Sequence, residues 1–359
     1  QLYVARNEKR AFRSGVARVI LKLYGRVWQP GRCSGVIESL HTGGAVSSMG
    51  EALQIPDVEG RIKNSVLRYV GNTPLERILV GDAGDRGADI YAKLEFFNPG
   101  GSIKDRPMLR IVVEAIKAGE LNEHRVLLDS TSGNAGIAYS MIGRVLGYKV
   151  ELVLPGTTSP EIRKTVQAFG ASTIITSCEA GYVGAIHKAH ELYESNPGHY
   201  FMADQYANPW NPIAHYETTG GEIVAQTGGR ITHFVAGVGT GGTLMGVARR
   251  LKEHDPTVKV YAVHPDQDIP GIEGLGPWCQ KPHIPAIYEE SLVDGHLYVS
   301  PAQAKQTCEI LRAAGYFVGR SSGANLAGAL QLREKIARGV IVTVFPDTAS
   351  RYYSGELFE

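Results

Sequence analysis

From about residue 62 onward, short apolar strand-like runs alternate with longer helical patterns, and this alternation restricts the chain to an α/β architecture. The strand-like runs fall at 90–96, 126–130, 149–155, 172–177, 232–238, 259–265 and 339–347. The helical patterns fall at 133–146, 159–169, 180–195, 212–226, 242–254, 301–314 and 322–337. A strand, a covering helix and a further parallel strand form one βαβ unit, and repeated units build parallel sheets with helices on both faces. The strands are numerous enough for two sheets. We expect two three-layer α/β/α domains with mostly parallel sheets, a smaller one over residues 97–207 and a larger one from 62–96 together with 208–359. At 359 residues the chain can give each its own core.

Residues 1–48 have a different character. They carry Arg6, Arg10, Arg13, Arg18, Arg26 and Arg32 against the acids Glu8 and Glu38, and end in the small-residue run Gly43-Gly44-Ala45-Val46-Ser47-Ser48. An arginine-rich, acid-poor leader can be a transit peptide. An extension ahead of Met49 explains the segment more simply, as an atypical and disordered or non-native leader, and it is set apart from the fold.

Charge excludes some partners. With 37 basic and 36 acidic residues, nothing electrostatic recommends a nucleic acid or a membrane surface. No apolar run approaches the length of a membrane span. Cys33, Cys178, Cys279 and Cys308 are far apart and lack metal-type spacing, which points to a reduced, cytoplasmic setting. His187, His190 and Glu191 would share a helical face, but nothing nearby completes a metal site. A solvated face accounts for them, and no metal is expected.

Four loops can carry chemistry. Phe97-Asn98-Pro99-Gly100-Gly101-Ser102-Ile103-Lys104-Asp105-Arg106 follows a strand and opens a helix whose apolar face is Met108, Leu109, Val112, Val113 and Ile116. Pro107 fits only a first helical turn, so the helix begins near Asp105, capped by Asp105 or Ser102. Lys104 at that N-terminus is a candidate amine nucleophile, its ammonium form disfavoured by the helix dipole. A solvated lysine in a surface turn is the plainer reading of this stretch alone. The other three loops are expected at the C-terminal ends of strands, where open α/β sheets bind ligands. Asp129-Ser130-Thr131-Ser132-Gly133-Asn134 offers hydroxyls and backbone N–H groups at a helix start, for a carboxylate or simply as a cap. Gly237-Val238-Gly239-Thr240-Gly241-Gly242-Thr243 has more glycine and hydroxyl than a cap needs and suits a phosphate. The same residues satisfy G-x-G-x-x-G ahead of a strand ending at Asp266, so a dinucleotide-dependent oxidoreductase stays open here. Gly319-Arg320-Ser321-Ser322-Gly323 needs no more than a capping serine.

Taken in order, these loops resemble one family. The chain is similar to the cysteine synthase and cystathionine β-synthase group of fold-type II pyridoxal-phosphate enzymes. The likeness runs from about Asn64 to the end, through Val70-Gly71-Asn72-Thr73-Pro74-Leu75, the lysine loop, Thr131-Ser132-Gly133-Asn134, Asp204-Gln205-Tyr206, Asn208-Pro209, His215-Tyr216, Thr218-Thr219-Gly220, the glycine-threonine loop and Ser321-Ser322-Gly323. Thr227 to Phe234, Pro270-Gly271-Ile272, Ser291 to Asp294 and Arg351-Tyr352-Tyr353-Ser354-Gly355 resemble the cysteine synthase B branch most.

The resemblance implies pyridoxal 5'-phosphate as cofactor, with Lys104 forming a Schiff base and then serving as the base at Cα. It implies Asn134 at the 3′-oxygen, Gly239, Thr240, Gly241, Gly242 and Thr243 at the phosphate, and Ser321 at the ring nitrogen. Thr131, Ser132, Gly133 and Gln205 would bind the substrate carboxylate. The implied reaction eliminates a leaving group from an O-activated L-serine, with O-acetylserine ahead of O-phosphoserine, and adds sulfide to give L-cysteine in a homodimeric enzyme. A cystathionine β-synthase-like or diamino-acid-forming enzyme is the nearest alternative, and a non-catalytic binding protein a more distant one. Two positions depart from the pattern. Ala135 stands where the family usually has threonine, and Glu273-Gly274 where cysteine synthase B tends to have an arginine pair, which argues against an anionic second substrate such as thiosulfate.

Overall fold

The computed structural model describes residues 57–79, 87–267, 271–276 and 284–355. The leader at 1–48, Cys33, Pro270 and Cys279 lie outside the described residues.

The described chain enters through helix α1 (Val58–Lys63) and strands β1 (Leu75–Arg77) and β2 (Asp89–Leu94), which pair antiparallel. Helix α2 (Asp105–Lys117) leads into β3 (Val126–Ser130), α3 (Asn134–Leu146), β4 (Val150–Leu154), α4 (Pro160–Ala168), β5 (Ser172–Ile175), α5 (Gly181–Ser195) and β6 (Tyr200–Met202). Strands β3 to β6 form one sheet, all parallel, in the order β5-β4-β3-β6. The chain then runs through α6 (Trp210–His215), a π-helical turn (Tyr216–Gly220) and α7 (Gly221–Gln226). It continues as β7 (His233–Gly237), α8 (Gly242–His254), β8 (Lys259–Pro265), β9 (Gly295–Val299), α9 (Pro301–Ala313), α10 (Arg320–Arg333) and β10 (Val340–Phe345). These last strands join β1 and β2 in a second sheet of order β1-β2-β10-β7-β8-β9, parallel except for β1.

The central strands are apolar without alternation because helices cover both of their faces. From Ile341 to Phe345 no residue of β10 exceeds 1% exposure. Its register against β2 pairs Ile341 with Ile90 and Phe345 with Leu94, and against β7 pairs Ile341 with His233. That central position sends the C-terminal ends of β7 and β10 out side by side, and the site is built there.

Several expectations need correction. β1, β6 and β9 were not among the expected strands: the first two span three residues each, and β1 and β9 mix polar or exposed positions into their pattern because they lie at sheet edges. The helix expected over 212–226 starts at Trp210 and contains the π turn. There the Thr218 hydroxyl donates to Ala214 O (2.6 Å), and His215 Nδ1 meets the Thr219 hydroxyl (2.9 Å). Side-chain bonds of this kind compete with the regular helical ladder, and π turns recur at functional sites. The Gly319–Ser322 loop does not end a strand. Gly319 is the N-cap and Arg320–Ser322 the first turn of α10, and the connection from α9 is tied to the chain beyond β10 by the bridge between Val318 and Thr348.

Among the described residues no helix is long and apolar enough to cross a membrane. None of their His, Cys, Asp and Glu side chains form a group able to hold a metal ion. The Lys188 amine lies 2.7 Å from Glu191 on the solvent side of α5, an ordinary surface pair.

Candidate active site

The turn from β7 into α8 is shaped by close approach. Gly241 has φ +86°, the left-handed region. A Cβ at Gly239 would lie 2.3 Å from the carbonyl oxygen of Gly274. The N-cap residue Gly241 has no side chain to cap α8, and Gly242 N reaches only the Thr240 hydroxyl at a long 3.4 Å, which leaves this N-terminus open to an anion. The two threonines are braced from behind: Asn211 Nδ2 donates to the Thr240 hydroxyl (3.1 Å) and to Gln205 O (2.8 Å), and the Thr243 hydroxyl meets His215 Nε2 (3.3 Å). Burial, and then the Arg106 and Lys104 charges, hold His215 well below the usual imidazole range, so it is a neutral brace.

The lysine loop reaches the same place from β2. A 3-10 turn, Glu95–Phe97, precedes it. Gly101 N then donates to Asn98 O (2.7 Å), and Ile103 N to Pro346 O (2.8 Å), just past β10. Helix α2 begins at Asp105 as expected, but neither expected residue caps it. Lys104 occupies the N-cap position, the Ser102 hydroxyl accepts from Lys104 N (3.3 Å), and the Asp105 carboxylate turns back to Gly100 N. Lys104 is half-buried. Desolvation lowers its pKa to about 8, against a partial opposing pull from the Asp347 charge. This is not a surface lysine.

Behind the loop stands a buried charge network. Arg106 Nε lies 2.7 Å from Glu95 Oε2, and its Nη1 2.6 Å from Glu222 Oε1. Lys93 Nζ lies 2.7 Å from Glu222 Oε2, and the Thr73 hydroxyl donates to Glu95 Oε1 (2.7 Å). The Asn98 amide donates to Glu95 as well (2.8 Å). One ion pair alone would barely repay its desolvation, but each carboxylate here serves several donors, which is the condition for such a cluster to be tolerated.

Helix α3 starts at Asn134. Its Nδ2 donates to Asp347 Oδ2 at 2.6 Å, while its Oδ1 is buried with no hydrogen-bond partner. Asn325 of α10 accepts from Gly237 N (2.7 Å) and donates to Val344 O (2.8 Å), pinning β7 and β10 to the helix that carries Ser321.

Lys104, Asn134, Gly239, Thr240, Gly241, Thr243 and Ser321 line one cleft of about 580 Å³ of empty space, part of it open to solvent. Gly242 is packed just behind it, where a Cβ would meet Asn211. Thr131, Ser132, Gly133 and Gln205 are not in this lining. The Thr131 hydroxyl accepts from Gly133 N (3.0 Å) and Gly136 N (3.3 Å), acting as the cap that was the plainer reading of that loop. Ser132 is exposed, and the Gln205 amide donates to Ser130 O (2.8 Å). Beneath them Asp129 is pushed up to about 8 by burial and by Asp204. Asp347 and Asn325 were missed by sequence reasoning. For Asp347 a signal existed, since it directly follows the C-terminal end of the innermost strand. Glu273 also lines the cleft. Arg320 Nη2 lies 3.4 Å from it, so its charge is partly offset and repels an anion less than the sequence implied.

Comparison with known proteins agrees with this geometry. The chain is 44% identical over 305 residues to a protein named cysteine synthase from Aquifex aeolicus (strain VF5), covering 83% of this chain and 93% of that one. It is 41% identical over 290 residues to cysteine synthase B of Escherichia coli (strain K12), covering 80% and 94%. The crystal structure of an O-ureido-L-serine synthase superposes with a TM-score of 0.76 at 37% identity, covering 82% of this chain and 95% of that one. A family model described as pyridoxal-phosphate dependent enzyme matches residues 66–347. That match takes in the lysine loop, the Asn134 turn, the glycine-threonine turn and Asp347 and replaces the dinucleotide reading: the chain belongs to the pyridoxal-phosphate dependent enzyme family.

Proposed function

We propose that this enzyme replaces the β-substituent of an O-activated L-serine, O-acetylserine in the first instance, with sulfide to give L-cysteine. The observation that carries the reading is convergence. A lysine with a lowered pKa, an amide with an unpartnered buried oxygen and a helix start without a side-chain cap meet in one cleft.

Each feature suits pyridoxal 5'-phosphate. The uncapped turn at Gly239, Thr240, Gly241, Gly242 and Thr243 would hold the phosphate, Asn134 the phenolic oxygen, Ser321 the ring nitrogen and Lys104 the aldehyde carbon. Bound there, the cofactor supplies an electron sink for the pair left at Cα when its proton departs. Lys104 does the rest of the proton work. With a pKa near 8, about a tenth of its amine is neutral at pH 7, so it can take the Cα proton once substrate has displaced it. Thr131, Ser132, Gly133 and Gln205 would receive the substrate carboxylate, which requires the Thr131 and Gln205 side chains to exchange their present partners for it. The acetate or phosphate leaves from Cβ with its bonding pair, the sulfur of sulfide forms the new bond to Cβ, and Lys104 returns its proton to Cα.

The names of the Aquifex and Escherichia relatives support cysteine as the product, whereas the name of the similar solved structure belongs to a different product. Assaying O-acetylserine, O-phosphoserine and serine against sulfide, homocysteine and amines decides between them. Cysteine from O-acetylserine and sulfide is the expected result. Turnover of another pair in its place would give the enzyme that product instead. The same reading carries a division into residues 97–207 and 62–96 with 208–359, a homodimer and a cytoplasmic location. Light scattering on the purified protein tests the dimer.

A further inference from the structure

We propose that Asp347 is a positioning residue for the cofactor, which by accepting a hydrogen bond from Asn134 determines which edge of that amide faces the cleft. This rests on the reading of the cleft as a pyridoxal-phosphate site with Asn134 at the phenolic oxygen.

Asp347 is 1% exposed. Its Oδ2 receives two donors, Asn134 Nδ2 at 2.6 Å and the Tyr352 hydroxyl at 2.5 Å. A carboxylate oxygen already engaged by a phenol can only accept from Asn134, so the amide nitrogen and not its oxygen must face it. Turning the amide over would set two acceptor oxygens 2.6 Å apart in a buried site, an arrangement that costs both a hydrogen bond and a repulsion. One amide orientation is therefore held. Nδ2 also lies 3.5 Å from the Tyr352 hydroxyl, so the consequence is that Asn134 Oδ1, which has no protein partner, is the atom left for something other than protein.

The carboxylate cannot easily swing away. Asp347 is fixed on one side by a backbone bridge to Ser102 of the lysine loop and on the other by Gly319 N, which donates to Asp347 O (3.3 Å). A Cβ at Gly319 would lie 2.4 Å from Asp347 Oδ1, so glycine is what lets the start of α10 approach so closely. Tyr352 is itself buried and comes from the segment after β10. Charged groups that act on the carboxylate are Lys104 from the start of α2 and Arg351 from the turn after β10. Asp347 thus joins the three segments that carry Lys104, Asn134 and Ser321, and only Asn134 among those three donates a hydrogen bond to its carboxylate.

The test is a double-mutant cycle of Asp347→Ala and Asn134→Ala. It uses two readouts: the affinity of each apoprotein for pyridoxal 5'-phosphate by fluorescence titration, and the pH midpoint of the visible cofactor band. Asp347→Ala alone is expected to weaken cofactor binding about tenfold, the loss of one charge-assisted hydrogen bond, and to move the band's midpoint. In the Asn134→Ala background the same change should do much less to cofactor affinity, whereas the midpoint shift that follows from the Asp347 charge acting on Lys104 is expected in both backgrounds. Equal effects on affinity in the two backgrounds, or no effect on it in either, overturn the proposal. Should Asp347→Ala not fold, Asp347→Leu keeps most of the volume while removing the acceptor, and takes its place in the cycle with the same criterion. The wild-type spectrum separates the two levels of the argument. A cofactor band that Lys104→Ala abolishes, together with a fully additive cycle, overturns the role of Asp347 alone. A wild-type protein that takes up no cofactor overturns the site and the proposal together.

Discussion

Arg106 Nε lies 2.7 Å from Glu95 Oε2 with neither side chain more than 1% exposed, two residues beyond Lys104. The second carboxylate on that guanidinium, Glu222, comes from α7 and also holds Lys93 of β2. Strand β2, the start of α2 and α7 are therefore fastened to one cation, and Lys104 is delivered by a rigid support instead of a free turn. Removing one partner of such a cluster leaves a buried charge uncompensated, which costs about 3–5 kcal/mol. Because the Glu222 side chain is 15% exposed, Glu222→Gln should lose roughly 3 kcal/mol, the low end of that range. Urea denaturation of the apoprotein checks it, and an unchanged midpoint would show the network to be neutral.

The same carboxylate gives an acid dependence. Burial pushes Glu222 up, but the hydrogen bond and charge of Arg106, with those of Lys93, outweigh it and hold the group at about 2. A pKa depressed in the folded state contributes stability that is complete above the unfolded value and is lost as pH falls through the folded one. Wild-type stability should therefore drop between about pH 4.5 and 2, and the difference between wild type and Glu222→Gln should shrink over that window. Denaturation midpoints of the two proteins at pH 6, 4 and 2.5 read this directly.

Lys104 predicts an alkaline profile. Its lowered pKa means that capture of added pyridoxal 5'-phosphate by the apoprotein, which needs the neutral amine, should speed up with pH and reach half its maximum near pH 8. A solvated lysine would place that midpoint above pH 10. Stopped-flow absorbance across pH 6.5–9.5 distinguishes the two. Stability changes in the same sense as in the Glu222 case, rising with pH, but in an alkaline window. The unfolded chain binds the extra proton between pH 8 and 10.5, so Lys104 contributes a gain in stability as pH rises through that range, one that Lys104→Met should abolish.

The same residue gives a simpler outcome on substitution. Lys104→Ala should abolish the visible band of the purified enzyme and lower turnover by at least about 10²–10⁴-fold, the range expected for loss of a positioned base. A yellow Lys104→Ala protein would assign the anchoring amine elsewhere.

Much of this was legible in the chain because local and tertiary signals agreed. Strands 126–130 and 259–265 and helix 242–254 have the expected bounds, since apolar runs buried on both faces and helices with a clear apolar stripe leave little competition. Lys104, Asn134, Thr240 and Ser321 were legible as ordered motifs, and they line one cleft. What could not be read was pairing across long separations. The Asn134–Asp347 bond spans 213 positions and the Arg106–Glu222 pair 116, and no periodicity links such residues. The short strand β6 and the π turn failed for the opposite reason. Three residues make too weak a pattern, and the bonds of Thr218 and Thr219 that accompany the turn compete with a helical periodicity the sequence does show.

Gly239 tests the phosphate turn by shape alone. A methyl group there would sit 2.3 Å from the Gly274 carbonyl oxygen, a backbone atom that cannot rotate away, so the turn or the Gly274 segment must shift. A misplacement of this kind should weaken cofactor binding without touching Lys104. Gly239→Ala is therefore expected to raise the dissociation constant for pyridoxal 5'-phosphate by about tenfold or more, given that a few lost phosphate N–H contacts exceed the ~1.4 kcal/mol that a factor of ten represents. The pH midpoint of cofactor capture should stay near 8, because the burial that lowers the Lys104 pKa is undisturbed. Fluorescence titration supplies the first quantity and stopped-flow absorbance the second. If affinity held and the midpoint moved, the turn would not be the phosphate's support.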